Sequence, residues 1–430
     1  MTSLACSKFF SRRSFVCLQG LYRSFSKDGT ISVSQSDSKK IQDLLEEAKS
    51  KPDSSENDHE YPSDVKDAQQ FKTYDKWKES VEHQDISARK TNPRETSIIL
   101  FPGQGSQFVG MGQHLIHYPN VMEMFDVANE ILGYDLLKVC LNGPKQELDK
   151  TIHCQPALFV TSLAAVEKLK DDHPEAIENC VGTAGFSVGE YAALAIENSV
   201  GTAGFSVGEY AALVFAGVLS FEDALEIIKV RASAMQEASL ETPSGLMSVF
   251  VGADSKLKFA MKTAREYIKE FHDVQDPVCS IANYLYSNCK VIGGHQQALD
   301  WLKKDSVRKD FSLRRLKPLP VSGAFHTNLM RPAKEPLQKA IQKVHFEEPL
   351  VNVYSNVTGK RYPKPAVIKK SLVDQIVKPV LWEQTLHYMY ARDVKQEFPD
   401  TYEVGPGKQL GTVLKVVNGK AHTRYHAISV

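Results

Sequence analysis

The chain contains the same 19-residue block twice in succession, at residues 177–195 and 196–214. The copies differ at two positions, Cys180/Ser199 and Ala195/Val214. Each copy joins a run of small and apolar residues to the pattern G-x-S-x-G and then to the run VGEYAAL. Such a pattern is typical of a strand, a sharp turn that exposes a serine hydroxyl, and a helix. The repeat therefore predicts an α/β sheet and one nucleophilic serine, either Ser206 or Ser187.

Length and charge narrow the class of protein. The 430 residues are enough for two or three domains, and 52 basic residues balance 52 acidic ones. A formal net charge of zero does not indicate a nucleic-acid-binding protein. No apolar run approaches the roughly 18 residues that a membrane span needs. The seven cysteines have no C-x-x-C spacing, which favours reduced thiols over disulfides.

The first 27 residues have the composition of a targeting segment. They are rich in serine, contain Arg12, Arg13 and Arg23, and have no acidic residue before Asp28. We predict that residues 1–27 are a mitochondrial transit peptide. A plastid transit peptide or a disordered tail are the alternatives, and a secretory signal fits less well because arginines interrupt any apolar core.

The segment that follows is polar. Residues 28–95 are rich in Ser, Asp, Glu and Lys, and they predict a disordered linker because they cannot bury enough apolar surface to offset the ordering entropy. Within this linker, residues 41–48 have the pattern of a short helix.

The remaining chain predicts two domains of different architecture. Strands and helices alternate through residues 96–243 and 318–430, which indicates an α/β-hydrolase-like large domain with a mostly parallel sheet. Residues 244–317 follow the order β-α-β-β-α-β of a small ferredoxin-like unit, which we expect to be inserted into the large domain. The detailed pattern predicts a strand at residues 312–316 and a helix at residues 372–377.

A nucleophilic serine needs a base, and His326 is the best candidate among 13 histidines. A histidine in a loop is more often a structural residue, so composition alone does not select it. Its context is one of five short motifs that occur in order along the chain. They read FPGQGSQ at residues 101–107, QPAL at 155–158, GFSVGEYAAL at 204–213, GAFH at 323–326 and EVGPG at 403–407.

This set of motifs resembles the malonyl-CoA:acyl carrier protein transacylases over about residues 98–425. The resemblance implies a ping-pong transfer from malonyl-CoA to the phosphopantetheine thiol of acyl carrier protein, with no metal and no bound cofactor. With the N-terminal segment, it also implies the mitochondrial matrix and a supply of malonyl groups to type II fatty acid synthesis. One departure is Phe186 or Phe205 before the serine, where many members of the family have histidine.

The resemblance also implies a role for each site residue. Ser206, with Ser187 as the alternate, is the nucleophile, His326 is the base, and Arg231 binds the malonyl carboxylate. Five further residues form the oxyanion hole, orient the histidine and line the pocket. They are Gln104 and Val207 for the oxyanion hole, Gln375 for the histidine, and Gln155 and Asn283 for the pocket.

Basic side chains cluster in one stretch of the small domain. They are Lys303, Lys304, Arg308, Lys309, Arg314, Arg315 and Lys317. Because carrier proteins are acidic and coenzyme A carries phosphates, this stretch is a candidate docking surface for both. A solvated edge of the small domain is an equally good interpretation.

Two other functions are compatible with the serine motif. A serine esterase or thioesterase shares G-x-S-x-G, but it would have an acid and then a late histidine after the serine, and it would not need Arg231. A scaffold without catalytic activity is the second alternative.

Spacing favours Ser206 over Ser187 as the nucleophile. The second copy continues directly into residues 214–221 as the family's helix does, and Ser206 lies 25 residues before Arg231, which is the family's spacing, against 44 for Ser187. We expect only one copy to enter the sheet. The extra residues would then lie in a polar, exposed connection near residues 171–178.

Overall fold

The computed structural model describes residues 39–50, 93–186, 202–205, 209, 213–214, 217–349, 353–392 and 395–430. For residues 182–186 and 202–205 the description is of the backbone alone. Ser187, Ser206 and Val207 lie outside the described residues, as do the predicted transit peptide and most of the predicted linker.

Strands and helices alternate through the described part of the chain. The strands are β1 (Ser97–Phe101), β2 (Cys180–Phe186), β3 (Thr202–Phe205), β4 (Ser244–Phe250), β5 (Cys279–Tyr286), β6 (Cys289–His295), β7 (Arg315–Pro318), β8 (Val353–Tyr354), β9 (Asp400–Val404) and β10 (Tyr425–Ile428). The helices are α1 (Lys39–Ser50), α2 (Val121–Leu132), α3 (Leu136–Asn142), α4 (Lys145–Leu148), α5 (Thr151–Asp172), α6 (Pro174–Glu178), α7 (Phe221–Glu241), α8 (Leu257–Phe271), α9 (Gln296–Leu302), α10 (Asp305–Asp310), α11 (Lys334–Lys343), α12 (Pro365–Gln375), α13 (Trp382–Met389), α14 (Gln409–Val417) and α15 (Gly419–His422).

The larger sheet is parallel throughout. Its strand order is β10-β9-β1-β2-β3-β8, and each neighbouring pair runs in the same direction. Strand β1 is buried along its whole length, as expected of an inner strand covered on both faces. The predicted parallel sheet is confirmed. Strand β10 was not predicted, because its four residues, Tyr425–Ile428, form no apolar run.

The two copies of the repeat form adjacent strands of this sheet. β2 and β3 pair with identical residues opposite each other, from Thr183 beside Thr202 to Phe186 beside Phe205. The expectation that only one copy enters the sheet is therefore wrong. A duplicated strand has the same side-chain alternation as the original, and so it fits beside it in register. The polar connection expected near residues 171–178 contains α6 instead, with Ala176 and Ile177 buried.

The smaller sheet has the strand order β5-β6-β4-β7, and all of its pairs are antiparallel. In order of appearance along the chain, these strands lie in the spatial order 2-3-1-4. With α8 and α9 as the connecting helices, this is the ferredoxin-like arrangement predicted from the sequence. β7 begins at Arg315 instead of residue 312, because Ser312 adopts a φ of 51°, outside the extended region.

Each sheet has its own hydrophobic core. The core beside the large sheet includes Phe101, Phe125 and Phe159, and the core of the small domain includes Met247 and Phe311. In the described ranges the free cysteines are all buried, which agrees with the predicted reduced thiols. They are Cys140, Cys154, Cys180, Cys279 and Cys289.

Helix α1 confirms the short helix predicted inside the polar segment. It packs against α8 of the small domain, where Ala48 joins the hydrophobic core and Leu45 lies beside it. Lys256 Nζ donates a hydrogen bond to the carbonyl oxygen of Ala48. This part of residues 28–95 is thus ordered by contact with the small domain. The domain boundaries themselves remain predictions.

The helix predicted at residues 372–377 lies earlier in the chain than expected. α12 begins at Pro365, in the first-turn position that suits proline, and ends at Gln375. The end at Gln375 is important for the site, because the last carbonyl groups of a helix have no partner within it.

Candidate active site

Four buried polar side chains come together in the large domain. α5 supplies Gln155, α7 supplies Arg231, α12 ends at Gln375, and His326 follows β7 along the chain. Each has less than a tenth of its surface exposed. The sequence predicted a site role for all four, and the structure brings them into one hydrogen-bonded cluster.

Arg231 is fully buried, and amide oxygens bind its guanidinium group. Nη1 donates to Gln155 Oε1 at 2.8 Å, and Nη2 donates to Gln375 Oε1 at 3.0 Å. α7, which positions it, starts with a side-chain cap in which Ser220 Oγ accepts from the Asp223 N–H at 3.1 Å. The planar group is thus held in one orientation, and a planar guanidinium is the best side-chain ligand for a carboxylate.

His326 is fixed by the C-terminal end of α12. Its Nδ1 lies 2.8 Å from the carbonyl oxygen of Gln375, and its backbone N–H donates to the Ile376 carbonyl oxygen at 3.1 Å. A carbonyl oxygen only accepts hydrogen bonds, so the ring proton is on Nδ1 and Nε2 carries the lone pair. His326 also has a φ of 61°, a left-handed conformation that is uncommon outside glycine and recurs at functional sites.

Burial dominates the electrostatics of His326. Loss of hydration, opposed by the hydrogen bond to Gln375 and reinforced by the charge of Arg231, lowers the pKa of His326 to about 3. The imidazole is therefore neutral at physiological pH, as a general base must be before it accepts a proton.

A buried carboxylate that the sequence analysis missed joins this cluster. Glu209 is fully buried, and its Oε2 accepts from Gln375 Nε2 at 2.5 Å. Its Oε1 accepts from the Asn356 N–H at 3.1 Å and from the Tyr362 hydroxyl. A glutamate in a helix usually faces solvent, so the only sequence signal was its position three residues after Ser206 in the repeated motif.

The loop after β1 holds Gln104 in place. Gly105 N donates to Gln107 Oε1 at 2.7 Å, and Gln107 Nε2 donates to Asp149 Oδ1 at 2.8 Å. Gly105 has a φ of 108°, which glycine adopts without strain. Gln104 Nε2 is buried, and it has no hydrogen-bond partner among the described residues. The loop is thus held directly after Gln104, the residue expected to contribute to an oxyanion hole.

Comparisons with known proteins place the chain in a family. Residues 98–203 match the family model of the acyl transferase domain. The mitochondrial malonyl-CoA-acyl carrier protein transacylase of Homo sapiens is 51% identical over 338 residues, which cover 79% of this chain and 81% of the relative. The corresponding Mus musculus protein is 48% identical over 347 residues, which cover 81% and 85%. The chain belongs to the malonyl-CoA-acyl carrier protein transacylase family.

Solved structures of family members share the fold. The malonyl CoA-acyl carrier protein transacylase of Coxiella burnetii is 27% identical with a TM-score of 0.65, and the match covers 79% of this chain and 95% of that one. A malonyl-transacylase in complex with its type II PKS acyl-carrier protein is 29% identical with a TM-score of 0.60, covering 78% and 96%. The predicted α/β-hydrolase-like domain with an inserted ferredoxin-like domain is confirmed.

The remaining pocket residue expected of a family member lies on the small domain. Asn283 is buried on β5, where it pairs with Val291 and forms an isolated parallel bridge with Val380 of the large domain. Its role in the pocket stays a prediction. Across the described ranges, no three His, Cys, Asp or Glu side chains are grouped so that they could hold a metal ion. None of the helices described is both long and apolar enough to cross a membrane.

Proposed function

We propose that this acyl-carrier-protein S-malonyltransferase moves the malonyl group through a serine ester, and that Ser206 is the serine. The donor is malonyl-CoA, and the acceptor is the phosphopantetheine thiol of acyl carrier protein. The single observation that carries the proposal is the buried, neutral His326, whose Nδ1 is bound to the Gln375 carbonyl at 2.8 Å, so that Nε2 is the basic atom.

The two half-reactions use the same groups in opposite order. Nε2 of His326 takes the proton of the Ser206 hydroxyl as its oxygen attacks the thioester carbonyl of malonyl-CoA. The tetrahedral intermediate collapses, the C–S bond breaks, and the coenzyme A thiolate leaves with the proton from Nε2. The thiol of the carrier protein then gives its proton to Nε2 and attacks the serine ester, and Ser206 recovers its proton as the C–O bond breaks.

One observation supports Ser206 over Ser187. Both serines directly follow the end of a strand, β2 at Phe186 and β3 at Phe205, at the carboxyl edge of the parallel sheet where such sites lie, so this position does not separate them. Glu209 lies three positions after Ser206 and binds Gln375, the residue that holds His326. Side chains three positions apart lie on the same face of a helix, so an elbow helix containing Glu209 would bring Ser206 toward the same cluster.

Arg231 would determine the choice of acyl group. A malonyl carboxylate in a buried pocket needs a paired positive charge, and the guanidinium of Arg231 supplies one in a fixed plane between Gln155 and Gln375. The oxyanion that forms on the thioester carbonyl would be bound by the backbone N–H groups of Gln104 and Val207.

The basic stretch of the small domain is the proposed contact for the carrier protein. Three of its side chains are paired with acidic groups of the same domain: Lys303 with Asp300 at 2.5 Å, Arg308 with Asp305 at 2.9 Å, and Arg314 with Asp254 at 3.8 Å. Lys309, Arg315 and Lys317 are exposed. Because surface ion pairs are weak, these cations can exchange their partners for acidic groups of a carrier protein.

The relatives named mitochondrial support a mitochondrial location for this chain. We place the reaction in the matrix, where the transit peptide predicted at residues 1–27 would deliver the protein. There the malonyl carrier protein would feed type II fatty acid synthesis.

Peptide mapping of the acyl-enzyme tests both the serine ester and the choice of serine. After brief incubation with malonyl-CoA alone, the protein is quenched in acid and cleaved after glutamate. Cleavage after Glu178, Glu190, Glu197 and Glu209 yields the peptides 179–190 and 198–209, which differ only by Cys180 against Ser199 and so differ in mass. We expect one malonyl group on peptide 198–209, which is released when a carrier thiol is added.

A malonyl group on peptide 179–190 would show that Ser187 is the nucleophile. A protein without any adduct that still transfers malonyl groups would overturn the serine ester. Release of free malonate without an acceptor thiol would favour the hydrolase alternative.

Charge reversal tests the docking surface. Lys309→Glu with Lys317→Glu is expected to raise the KM for carrier protein several-fold at low salt, with the effect shrinking as salt screens the charges. Lys420→Glu, an exposed lysine of α15, is the matched control. An equal KM in the test and control variants would remove the basic stretch from the interface.

A further inference from the structure

Glu209 is a buried carboxylate that none of the acyl-transfer steps uses. It nevertheless accepts a hydrogen bond from one end of the Gln375 amide, and the other end of that amide binds Arg231. We propose that Glu209 is a positioning residue, whose anionic carboxylate fixes the Gln375 amide so that its oxygen faces Arg231. This inference rests on the proposed roles of Arg231 and His326.

The donors and acceptors permit one arrangement. The guanidinium of Arg231 has only donors, and so it must face the Gln375 oxygen. The NH₂ group of Gln375 then points at Glu209 Oε2, at 2.5 Å. At the other carboxylate oxygen, the Asn356 N–H and the Tyr362 hydroxyl converge. Three donors on one carboxyl group match an anion, which only accepts hydrogen bonds.

Gln375 connects this arrangement to both parts of the reaction. Its side-chain oxygen holds Arg231, which would bind the malonyl carboxylate, and its backbone oxygen holds Nδ1 of His326 at 2.8 Å. If Glu209 no longer accepts from Gln375 Nε2, the amide can turn and present donors to a guanidinium. Arg231 would then lose its oxygen ligand and move from the plane needed for malonate, while His326 keeps its backbone contact.

The charge state of Glu209 depends on pH. Burial raises the pKa of Glu209 to about 7, against hydrogen bonds from Tyr362, Gln375 and Asn356 and the positive charge of Arg231. His326, which belongs to the same cluster, stays neutral through this range because its pKa is lowered to about 3. Glu209 therefore becomes anionic, and the Gln375 amide becomes fixed, as the pH rises through about 7.

Stability and activity then change in opposite directions. The folded pKa of Glu209 lies above the ordinary value of 4.5, so its contribution to stability is complete below pH 4.5 and is lost as the pH rises through about 7. Malonyl transfer increases over the same rise. If Glu209 had only a structural role, malonyl transfer would fall together with stability as the pH rises.

The test substitutes Glu209 and its counterpart in the other copy. Glu209→Gln keeps the shape of the side chain, but it replaces one of the two acceptor oxygens with an NH₂ group. Because three donors converge on this side chain, the new NH₂ group must face one of them. We expect the KM for malonyl-CoA to rise roughly 10- to 100-fold, with a smaller fall in kcat, as for the loss of one buried hydrogen bond to a charged group. The rise in activity around pH 7 should also disappear. Glu190→Gln makes the same change in the first copy and should keep the wild-type KM and pH profile.

Tyr362→Phe provides a second variant in case Glu209→Gln fails to fold. It removes one donor from Glu209 and leaves Gln375 unchanged, so the midpoint of the acid limb should move to higher pH. Equal KM values and pH profiles for Glu209→Gln, Glu190→Gln and the wild type would overturn the inference, as would an unchanged acid limb in Tyr362→Phe. The variants are compared with a wild-type protein in which the malonyl-serine adduct has already been detected. Failure of the proposed serine ester is therefore recognised separately from failure of this inference.

Discussion

The two copies of the repeat have almost the same sequence and different surroundings. β2 of the first copy lies between β1 and β3, whereas β3 of the second lies between β2 and β8. In the second copy Glu209 is buried against Gln375, Asn356 and Tyr362. The same motif thus lies beside different elements in its two copies, and we propose that these elements decide which serine meets His326. Four experiments test this difference between the copies.

The largest effect is expected from the nucleophile. Ser206→Ala should lower kcat for malonyl transfer on the order of 10⁴-fold or more, as for other catalytic serines. Ser187→Ala is the matched control and should retain nearly full activity. The rate of carrier-protein malonylation measures both variants. Full activity of Ser206→Ala with loss in Ser187→Ala would reverse the assignment of the two copies.

The second experiment changes Arg231 on α7, which is connected to Glu209 of the second copy through Gln375. Arg231→Ala should lower kcat/KM for malonyl-CoA about 100-fold or more, because a buried carboxylate loses its charged partner. The variant should gain slow transfer of uncharged acyl groups. Lys229→Ala, on the same helix but with an exposed side chain whose Nζ donates to the Ile131 carbonyl at 2.5 Å, is the control. Unchanged malonyl kinetics in Arg231→Ala would remove it from the site.

Removing one copy tests whether the added strand is needed. Deletion of residues 177–195 and deletion of residues 196–214 leave chains that differ only in which residue of each pair, Cys180/Ser199 and Ala195/Val214, they keep. In either chain the remaining strand can pair with both β1 and β8, because its side-chain alternation is the same. We expect both deletions to keep activity within about tenfold of the full chain, since one complete motif remains.

The same steady-state assay compares the two deletion variants with the full chain. If both lose all activity while staying folded, the six-stranded sheet is itself required for the site. A large difference in activity between the two deletion variants would show that the residues at Cys180/Ser199 and Ala195/Val214 determine activity, because the two chains differ only there.

The smallest effect is expected at the position that distinguishes the copies inside the core. Cys180 is 1% exposed, so Cys180→Ser should lower the free energy of unfolding by about 1–2 kcal/mol because a hydroxyl replaces a thiol in an apolar site. Malonyl transfer should not change. Urea unfolding measures the difference, with Ser199→Cys as the reciprocal variant. A loss of transfer activity in Cys180→Ser without unfolding would indicate that the first copy contributes to the site.

The sequence predicted most of the fold because its patterns are local. The burial of β1 and the spacing of α2, Val121–Leu132, follow from short apolar patterns, and the β-α-β-β-α-β order of the small domain was read in the same way. The sequence predictions failed where contacts between distant parts of the chain decide the secondary structure. β10 has no apolar run of its own and forms by pairing with β9, and α12 extends back to Pro365.

Within the site, the family resemblance implied roles for Gln155, Arg231, His326 and Gln375, and the structure brings these four side chains together. Glu209 could not be predicted, because a glutamate in a helix becomes a buried group only if other elements cover it. Here the cover comes from Asn356 and Tyr362, about 150 residues further along the chain.

The sequence by itself determined that this protein carries two copies of one motif and resembles one family. Through that resemblance it predicts a serine at a strand-to-helix turn, a histidine as its base and an arginine for a carboxylate. Only the tertiary structure decided how the copies differ. Both strands enter the sheet in register, because identical strands present identical hydrogen bonds and side-chain alternation. The buried carboxylate of the second copy meets Gln375, because packing, and not the local sequence, removes water from a charged group and requires its partners.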